Sequence, residues 1–380
     1  MKTYSRFHAL LLPAIIAQSL IIGGGYSTGR EIVEFAGRFG PPAWLGVAII
    51  FAGFSLLMVL AFEVARVARA YDYKSWIRAL IGPLWPLFDL IILVSMLLTI
   101  AVMSAATGSV LRQTLGLPNA VGLGLVFVMV AFLVWRGTSF IERFKTMGSV
   151  ALYLAYAAFA VLVLNGTSAV SGAAPLATES APVSTGEIVV SAIQYVGYNL
   201  GVIPPVLFCL YRQTRRAETV ASGLLAGVAM TVPFALTFLC LLRFWPDEDV
   251  FRAEVPWLPM LETAGGGRAQ LWIVIYGVVV GWTLLETAVG VIHAVVDRLE
   301  RNLGDLPGRW RPASGAFQPW QRAALSLGVL VLSMLLASFG IIDLVAKGYG
   351  ALAWGFIAYL AIPLLTVGVT RIWRGGGDSI

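Results

Sequence analysis

The sequence predicts an all-α membrane protein with ten transmembrane helices, arranged as two repeats of five helices with opposite topology. Three observations support this prediction. Of the 380 residues, 59% are hydrophobic and only 12% are charged. The apolar runs are long enough to cross a bilayer. Two of these runs are interrupted by glycine or proline, and each lies at the start of one half of the chain, so helices 1 and 6 are expected to be discontinuous.

The ten apolar runs are each about 20 residues or more in length and are separated by polar loops. In chain order they cover residues 9–39, 42–68, 85–111, 119–135, 139–164, 186–211, 217–243, 268–297, 320–338 and 341–370. We expect a single transmembrane domain over residues 1–380, with one repeat over about 1–164 and the other over about 186–374. The similarity between the repeats is limited mainly to the interrupted first helix of each.

The basic residues predict the orientation of these helices. With the amino terminus in the cytoplasm, 19 of the 26 Lys and Arg residues fall on the cytoplasmic side, as expected from the excess of positive charge in cytoplasmic loops. An even number of helices places both termini there and makes helix 6 run opposite to helix 1. We therefore expect an integral protein of the bacterial inner membrane, embedded in the lipid bilayer, without a nucleic-acid partner.

Helix 1 contains seven consecutive small or polar residues, Gly23–Gly29. An unpaired peptide group in hydrocarbon costs several kcal/mol, so an unwound helix is stable there only inside protein or beside a polar cavity. The amides near Thr28 can then bind a carboxylate, and the carbonyls of Ile21–Gly24 can bind a cation or an ammonium group. The alternative is that these glycines only allow close helix packing, which is the favoured interpretation for Gly223 and Gly227.

The matching interruption in helix 6 lies at residues 198–205. Pro204 and Pro205 remove amide donors and clash with the preceding turn, while Asn199 offers both a donor and an acceptor. A simple proline kink is the alternative, but the corresponding position of the interruption in helix 1 favours a binding site. Polar or aromatic residues of helices 1, 3 and 6 are the predicted substrate-binding set: Gly23, Gly24, Gly25, Tyr26, Ser27, Thr28, Ser104, Thr107, Tyr195, Tyr198, Asn199 and Gly201. Ordinary packing is the alternative for Tyr195, Tyr198 and the two helix 3 residues.

An ionisable side chain within an apolar span is costly and is therefore a functional candidate. Glu286 lies near the middle of helix 8. We predict that it handles a coupling ion, sodium or a proton, together with Thr283, Thr287 and the carbonyls of Ile21 and Gly24. A sodium ion near the two threonines is the one metal ion expected. A structural hydrogen bond from a permanently protonated Glu286 is the alternative.

Two charged residues follow the interruption in helix 1 and are candidate charge partners of the substrate. Arg30 suits an anion and Glu31 suits an amine. Because Arg30 and Glu34 are four residues apart, an ion pair within the helix is an adequate alternative explanation.

The sequence does not indicate an enzyme. The two His and two Cys residues cannot form a transition-metal site of familiar spacing, and a P-loop for ATP hydrolysis is missing. Gly23–Gly25 lacks the βαβ context of a dinucleotide-binding fingerprint. Both cysteines, Cys209 and Cys240, lie in apolar segments and are expected to be buried. We therefore expect no catalytic residues and no organic cofactor.

The stretch from Gly23 to Ile32 resembles the glycine-rich motif in the first helix of the YkvI-like membrane transporters. Five plus five inverted helices with interruptions in the first and sixth resemble the LeuT fold of the amino acid, polyamine and organocation (APC) superfamily, over nearly the whole chain. This resemblance implies a bundle of helices 1, 2, 6 and 7 that rocks against a scaffold of helices 3, 4, 8 and 9. It also implies a substrate between helices 1, 3, 6 and 8, and a sodium site between helices 1 and 8.

We therefore expect a secondary active transporter of a small polar organic solute. An amino acid or a related amine is the first expectation for the substrate, in symport with sodium or protons by alternating access. The alternative is a channel or uncoupled facilitator for a small solute or ion, because broken helices also line channels.

Overall fold

The structure is a computed structural model that describes residues 6–22, 26–136, 138–166, 183–302 and 317–375. Every regular element within these ranges is helical, as predicted. The α-helices are α1 (Arg6–Ile21), α2 (Arg30–Phe35), α3 (Trp44–Ala68), α4 (Tyr73–Ile81), α5 (Trp85–Leu115), α6 (Asn119–Arg136), α7 (Thr138–Asn165), α8 (Thr185–Asn199), α9 (Ile203–Val206), α10 (Arg216–Leu242), α11 (Glu248–Phe251), α12 (Trp257–Gly265), α13 (Ala269–Asn302), α14 (Pro319–Ala337), α15 (Ile341–Asp343), α16 (Gly350–Phe356) and α17 (Val369–Gly375). Stretches of π-helix join α15, α16 and α17 into one long final segment.

Seven helical segments of the described residues are long and apolar enough to cross a membrane. They are Pro41–Ala68, Tyr73–Leu115, Thr185–Arg212, Arg216–Leu242, Trp257–Asn302, Pro319–Ala337 and Ile341–Arg374. To within one residue, these seven segments contain predicted helices 2, 3, 6, 7, 8, 9 and 10. Two shorter apolar helices, Ala9–Ile21 and Ala151–Asn165, correspond to parts of predicted helices 1 and 5, and α6 corresponds to predicted helix 4.

The chain divides into two compact units. Unit 1 consists of Met1–Ile92, Ser168–Phe251 and Lys347–Ile380, and unit 2 consists of Leu93–Thr167 and Arg252–Ala346. Among the described residues, unit 1 contains α1 to α4, the start of α5, α8 to α11 and most of the final segment. Unit 2 contains the rest of α5 together with α6, α7 and α12 to α14. Each unit therefore combines segments from both halves of the sequence.

Within unit 1, α3 and α10 pack closely through small residues. A Cβ atom added to Gly223 would lie 2.6 Å from the Cα of Val59, and one added to Gly227 would lie 2.7 Å from the Cα of Ser55. Along this contact the residue numbers rise by four in one helix and fall by four in the other, so the helices are antiparallel. The close-packing interpretation of the two glycines is confirmed. We call this contact the α3–α10 seam, and its residues are Ser55, Val59, Glu63, Thr219, Gly223 and Gly227.

Helix α8 runs parallel to α3. Gly46 of α3 faces Ile188 of α8, and Gly53, two turns later, faces Val196. Since residue numbers rise together along this contact, α8 is also antiparallel to α10.

Helix α1 runs parallel to α10 on the same grounds. The hydroxyl of Ser222 donates a hydrogen bond to the carbonyl of Leu10 at 2.9 Å. At higher residue numbers in both segments, the hydroxyl of Tyr26 donates a hydrogen bond to the carbonyl of Met230 at 2.6 Å. Consequently α1 and α8 run in opposite directions within unit 1.

The interruption of helix 1 is confirmed on both sides of residues 23–25, which lie outside the described residues. Helix α1 ends at Ile21, and Tyr26–Gly29 does not form an α-helix. Gly29 has a φ of 79°, a left-handed conformation that glycine adopts without steric penalty. The predicted continuation of the helix to residue 39 is wrong, because α2 ends at Phe35 and is followed by Gly37–Phe39 in a 3₁₀ turn and by two prolines. A helix of six residues also has too few aligned peptide groups for the anion site predicted near Thr28.

Helix 6 departs more strongly from the prediction, because the chain is not unwound at residues 198–205. After α8 ends at Asn199, the chain continues through a 3₁₀ turn at Leu200–Val202, the short helix α9 and a second 3₁₀ turn at Leu207–Arg212. Pro204 and Pro205 lie in the first turn of α9, where a missing amide donor is tolerated. At the predicted interruption the backbone therefore forms 3₁₀ turns and a short α-helix and is not unwound.

Candidate functional site

A buried carboxylate lies beside aromatic rings next to the interruption of helix 1. Glu31 on α2 is 2% exposed and accepts a hydrogen bond from the hydroxyl of Tyr198 on α8. Phe35, one turn after Glu31, stacks on the Tyr198 ring with centroids 5.7 Å apart. Tyr349 of the final segment also stacks on Tyr198, at 4.7 Å and with an interplanar angle of 13°. We call these four residues the Glu31 cluster, and all of them belong to unit 1.

A second aromatic residue of α8 supports this cluster. Tyr195 is fully buried, and its ring centroid lies 4.6 Å from that of Phe234, 5.4 Å from Phe35, 5.5 Å from Tyr198 and 6.0 Å from Phe54. Aromatic pairs at these separations stabilise one another beyond the burial of their surface. Tyr195 thus holds Tyr198 and Phe35 in place, in keeping with the packing alternative for this residue.

The charged residues on and after α2 differ in whether they form ion pairs. Arg30 donates to the carbonyl of Phe251 at 2.8 Å, and its Nη2 lies 3.4 Å from the carboxylate of Glu34. Glu34 also binds Arg38 at 2.8 Å. The internal ion pair expected from the i, i+4 spacing is therefore confirmed. Among the residues that the structure describes, Glu31 forms no ion pair with a basic side chain.

The polar residues of the interruption itself are buried. Tyr26, Ser27 and Thr28 are at most 1% exposed, and the preceding Ile21 is 3% exposed. The hydroxyl oxygen of Thr28 accepts a hydrogen bond from the amide of Arg30 at 3.3 Å, which supports the turn into α2. The predicted ligands Gly23, Gly24 and Gly25 lie outside the described residues.

The two remaining candidates on helix 6 make packing and backbone contacts. The side-chain amide of Asn199 donates to the carbonyl of Tyr195, one turn earlier, at 2.9 Å. Gly201 faces the ring of Phe356, and an added Cβ atom would lie 3.3 Å from it. Asn199 therefore provides a hydrogen-bond donor for the Tyr195 carbonyl at the point where α8 ends and the 3₁₀ turn begins.

Five candidates belong to unit 2, and two of them are on α5. Ser104 is fully buried, and its hydroxyl forms no hydrogen bond with any described residue. Thr107 is buried too, but its hydroxyl donates to the carbonyl of Met103 at 2.8 Å.

The other three candidates of unit 2 lie on α13. Thr283, Glu286 and Thr287 are spaced i, i+3 and i+4, so they share one face of the helix. Thr283 is buried and donates to the carbonyl of Val279 at 2.9 Å, whereas Glu286 and Thr287 are half-buried. Within the described ranges, no three or more His, Cys, Asp or Glu side chains are arranged to hold a metal ion. The cysteines, Cys209 and Cys240, are free and buried as predicted.

Tyr349 and Phe35 are members of the Glu31 cluster that sequence reasoning missed. In the sequence, Phe35 cannot be distinguished from the other apolar residues of helix 1. Tyr349 ends the π-helical stretch Leu344–Tyr349. Such stretches are rare, and many of those known lie at functional sites. We find no sequence pattern, such as a proline, that predicts this one.

The fold and composition define this chain as an integral membrane protein. No known family model matches it. Among curated proteins it is similar to YkvI of Bacillus subtilis (strain 168), described as an uncharacterized membrane protein, with 23% identity over 245 residues that cover 64% of this chain and 68% of YkvI. The resemblance to the YkvI-like proteins, inferred from the glycine-rich motif, is confirmed by this similarity.

Two transporters are among the proteins whose solved structures have a similar chain path. One is a Na⁺-coupled sialic acid symporter in a substrate-bound, outward-open state, with a TM-score of 0.45 and 12% identity, covering 97% of this chain and 85% of that chain. The other is the Eremococcus coleocola manganese transporter, with a TM-score of 0.39 and 11% identity, covering 97% and 95% of the two chains.

Proposed function

We propose that this protein is a secondary active transporter of a small polar organic solute, with an amino acid or a related amine as the first candidate substrate. The observation that carries the proposal is the interrupted first helix, in which α1 ends at Ile21 and α2 begins at Arg30, with buried polar residues between them. Irregular backbone at membrane depth is stable only where it is buried in protein or lines a polar cavity. Interrupted helices of this kind form the substrate and ion sites of many transporters.

Two features of the fold support the proposal. Helices α1 and α8, which open the two proposed repeats, run in opposite directions, as an inverted repeat requires. Unit 1 contains α1, α3, α8 and α10, the four helices that the LeuT-fold resemblance assigns to the moving bundle. Unit 2 contains α6, α13, α14 and most of α5, which correspond to the scaffold. On this proposal the chain has ten transmembrane helices in a five-plus-five repeat, with both termini in the cytoplasm.

For substrate binding, the proposal retains each of the sequence candidates as an individual residue: Gly23, Gly24, Gly25, Tyr26, Ser27, Thr28, Ser104, Thr107, Tyr195, Tyr198, Asn199 and Gly201. For the coupling ion, the sequence candidates Glu286, Thr283 and Thr287 share one face of α13, in keeping with the proposal that they act together.

The first test is a thermal unfolding screen of the purified protein with amino acids, amines and organic acids, with and without sodium and at two pH values. A ligand that binds only the folded state raises its apparent stability, by about 2.7 kcal/mol at 100 times its Kd. We expect stabilisation by one chemical class, with a dependence on sodium or pH. An unchanged unfolding temperature across the panel would contradict the proposed substrate classes.

Uptake into liposomes then separates a transporter from a channel. A secondary transporter concentrates the stabilising solute when an ion gradient is imposed, whereas a channel or facilitator only equilibrates it. If Glu286 couples the ion, Glu286→Gln abolishes accumulation but keeps part of the exchange of labelled for unlabelled solute. Accumulation at the wild-type level in this variant would show that Glu286 is not the coupling residue.

A further inference from the structure

Glu31 is a buried carboxylate of unit 1, and the side chains of its cluster are aromatic. The one hydrogen bond that its side chain accepts within the described residues comes from the neutral hydroxyl of Tyr198. A single neutral donor compensates poorly for the loss of hydration of a full negative charge in such surroundings. With the partners that the described residues provide, the side chain either holds a proton or binds a further positive charge.

Among the residues that the structure describes, no basic side chain forms an ion pair with Glu31. Arg30, its neighbour on α2, is engaged by Glu34 and by the carbonyl of Phe251. Arg38, after α2, is engaged by Glu34 and is half exposed. Lys347 of the final segment is exposed. Tyr195, Tyr198 and Tyr349, in and beside the cluster, contribute hydroxyl groups, which bear no positive charge.

The surroundings of Glu31 suit a proton better than a metal cation. A sodium ion replaces its hydration shell with several oxygen ligands, whereas the Glu31 side chain has one hydrogen-bond partner among the described residues, the Tyr198 hydroxyl, on whose ring Phe35 and Tyr349 stack. A proton needs only one carboxylate oxygen. The stacking of Phe35 and Tyr349 on Tyr198 fixes the ring, so its hydroxyl stays within reach of the carboxyl group in either protonation state.

We propose that Glu31 is the proton-binding site of this protein and that the coupling ion is a proton, which gives the coupling role to Glu31 instead of the sequence candidate Glu286. Glu31 takes up one proton at a carboxylate oxygen from one side of the membrane and releases it to the other side, and no other bond is made or broken. Tyr198 is a positioning residue that donates to the carboxylate and accepts from the carboxylic acid. This assignment rests on the proposed transport function and names its coupling ion.

A substrate-independent test is the infrared C=O stretching band of the carboxylic acid, followed in the full-length purified protein between about pH 5 and pH 10. We expect the wild type to show a band that disappears as pH rises, and Glu31→Gln to lack it. Glu34→Gln and Glu63→Gln are matched controls that keep the band, because both carboxylates are paired with arginines. Tyr198→Phe keeps the band but moves its midpoint to higher pH, because the lost hydroxyl no longer stabilises the carboxylate.

Two results would overturn the assignment. One is the absence of a titrating band in the wild type. The other is a band that persists in Glu31→Gln but vanishes in Glu286→Gln, which would move the proton site to α13. If Glu31→Gln fails to fold, Glu31→Asp answers the same question, because it keeps the carboxyl group and shifts the band.

Proton movement in liposomes tests the coupling itself. A pH-sensitive dye is enclosed, and L-amino acids, putrescine and choline are added outside. We expect at least one of these solutes to drive proton entry in the wild type, and at least a tenfold slower entry in Glu31→Gln. Accumulation driven by sodium and indifferent to pH would overturn the coupling assignment. If no solute accumulates under any gradient, the transport proposal fails, while the infrared titration still decides whether Glu31 binds a proton.

Discussion

Unit 1 holds two buried glutamates whose surroundings differ in one respect. Glu63, in the α3–α10 seam, lies 2.6 Å from Arg66 and accepts a hydrogen bond from Thr219. Glu31 accepts a hydrogen bond from Tyr198 and has no basic partner among the described residues. A buried carboxylate that is paired with an arginine serves the structure, and loss of the partner leaves an uncompensated charge. A buried carboxylate without such a partner is available to bind an ion during function.

Glycine also has different roles in the two regions. In the seam, Gly223 and Gly227 let two long helices approach until no Cβ atom fits between them. Beside the Glu31 cluster, Gly29 adopts a left-handed conformation that ends the interruption of helix 1. The same residue type therefore allows close helix packing in the seam and a left-handed turn into α2 beside the cluster.

The largest effect is expected from replacing Arg66, the ion-pair partner of Glu63. Arg66→Met leaves Glu63 buried and unpaired, which we expect to lower the free energy of unfolding by about 3 kcal/mol, the lower end for broken buried pairs because Arg66 is 18% exposed. Unfolding of the purified protein in detergent measures this change. Arg371→Met, at an exposed position, is the control and should remain within about 0.5 kcal/mol of the wild type. Equal stability of the two variants would show that the pair is not structural.

The next effect concerns helix packing in the seam. Gly227→Ala places a methyl group against the backbone of Ser55, so the helices must separate, at a cost of about 2 kcal/mol. Gly290→Ala on α13 is the matched control, since an added Cβ atom meets no atom within 4 Å there, and alanine favours the helix. The same unfolding assay compares them. A Gly227→Ala protein as stable as Gly290→Ala would contradict the close contact.

A smaller effect is expected in the aromatic part of the Glu31 cluster. Tyr349→Leu removes the ring stacked on Tyr198 and should lower the free energy of unfolding by about 1 kcal/mol. Tyr211→Leu, at a side chain that is 53% exposed, serves as the control with a smaller change. Identical losses in the two variants would mean that the stacking adds nothing to the stability of unit 1.

The smallest effect on stability is expected at Glu31 itself. Glutamine has the shape of a protonated glutamate and can keep the hydrogen bond to Tyr198, so Glu31→Gln should unfold within about 0.5 kcal/mol of the wild type. Glu63→Gln, in contrast, leaves Arg66 without its ion pair and should be clearly less stable. If Glu31→Gln were destabilised as much as Arg66→Met, Glu31 would be an ionised and paired residue, and the contrast between the two glutamates would disappear.

Sequence reasoning succeeded where a local pattern has a local consequence. The seven-residue stretch Gly23–Gly29 predicted where helix 1 breaks, and the i, i+4 spacing predicted the ion pair between Arg30 and Glu34. It failed at helix 6, because adjacent prolines are compatible with either an opened chain or the first turn of a new helix. The outcome depends on which neighbouring groups form hydrogen bonds with the backbone there. The side chain of Asn199 is one such group.

The sequence by itself determined the membrane class, the positions of the apolar helices and the interruption of helix 1, because hydrophobic length and glycine content act over a few turns of chain. Only the tertiary structure decided the partners of the two buried carboxylates, an arginine and a threonine for Glu63 and a tyrosine for Glu31. Glu31 meets Tyr198 across 167 residues of sequence, and Glu63 meets Thr219 across 156. Such pairs depend on how helices pack, and helical periodicity places a residue on a face of its own helix without specifying the residue that faces it.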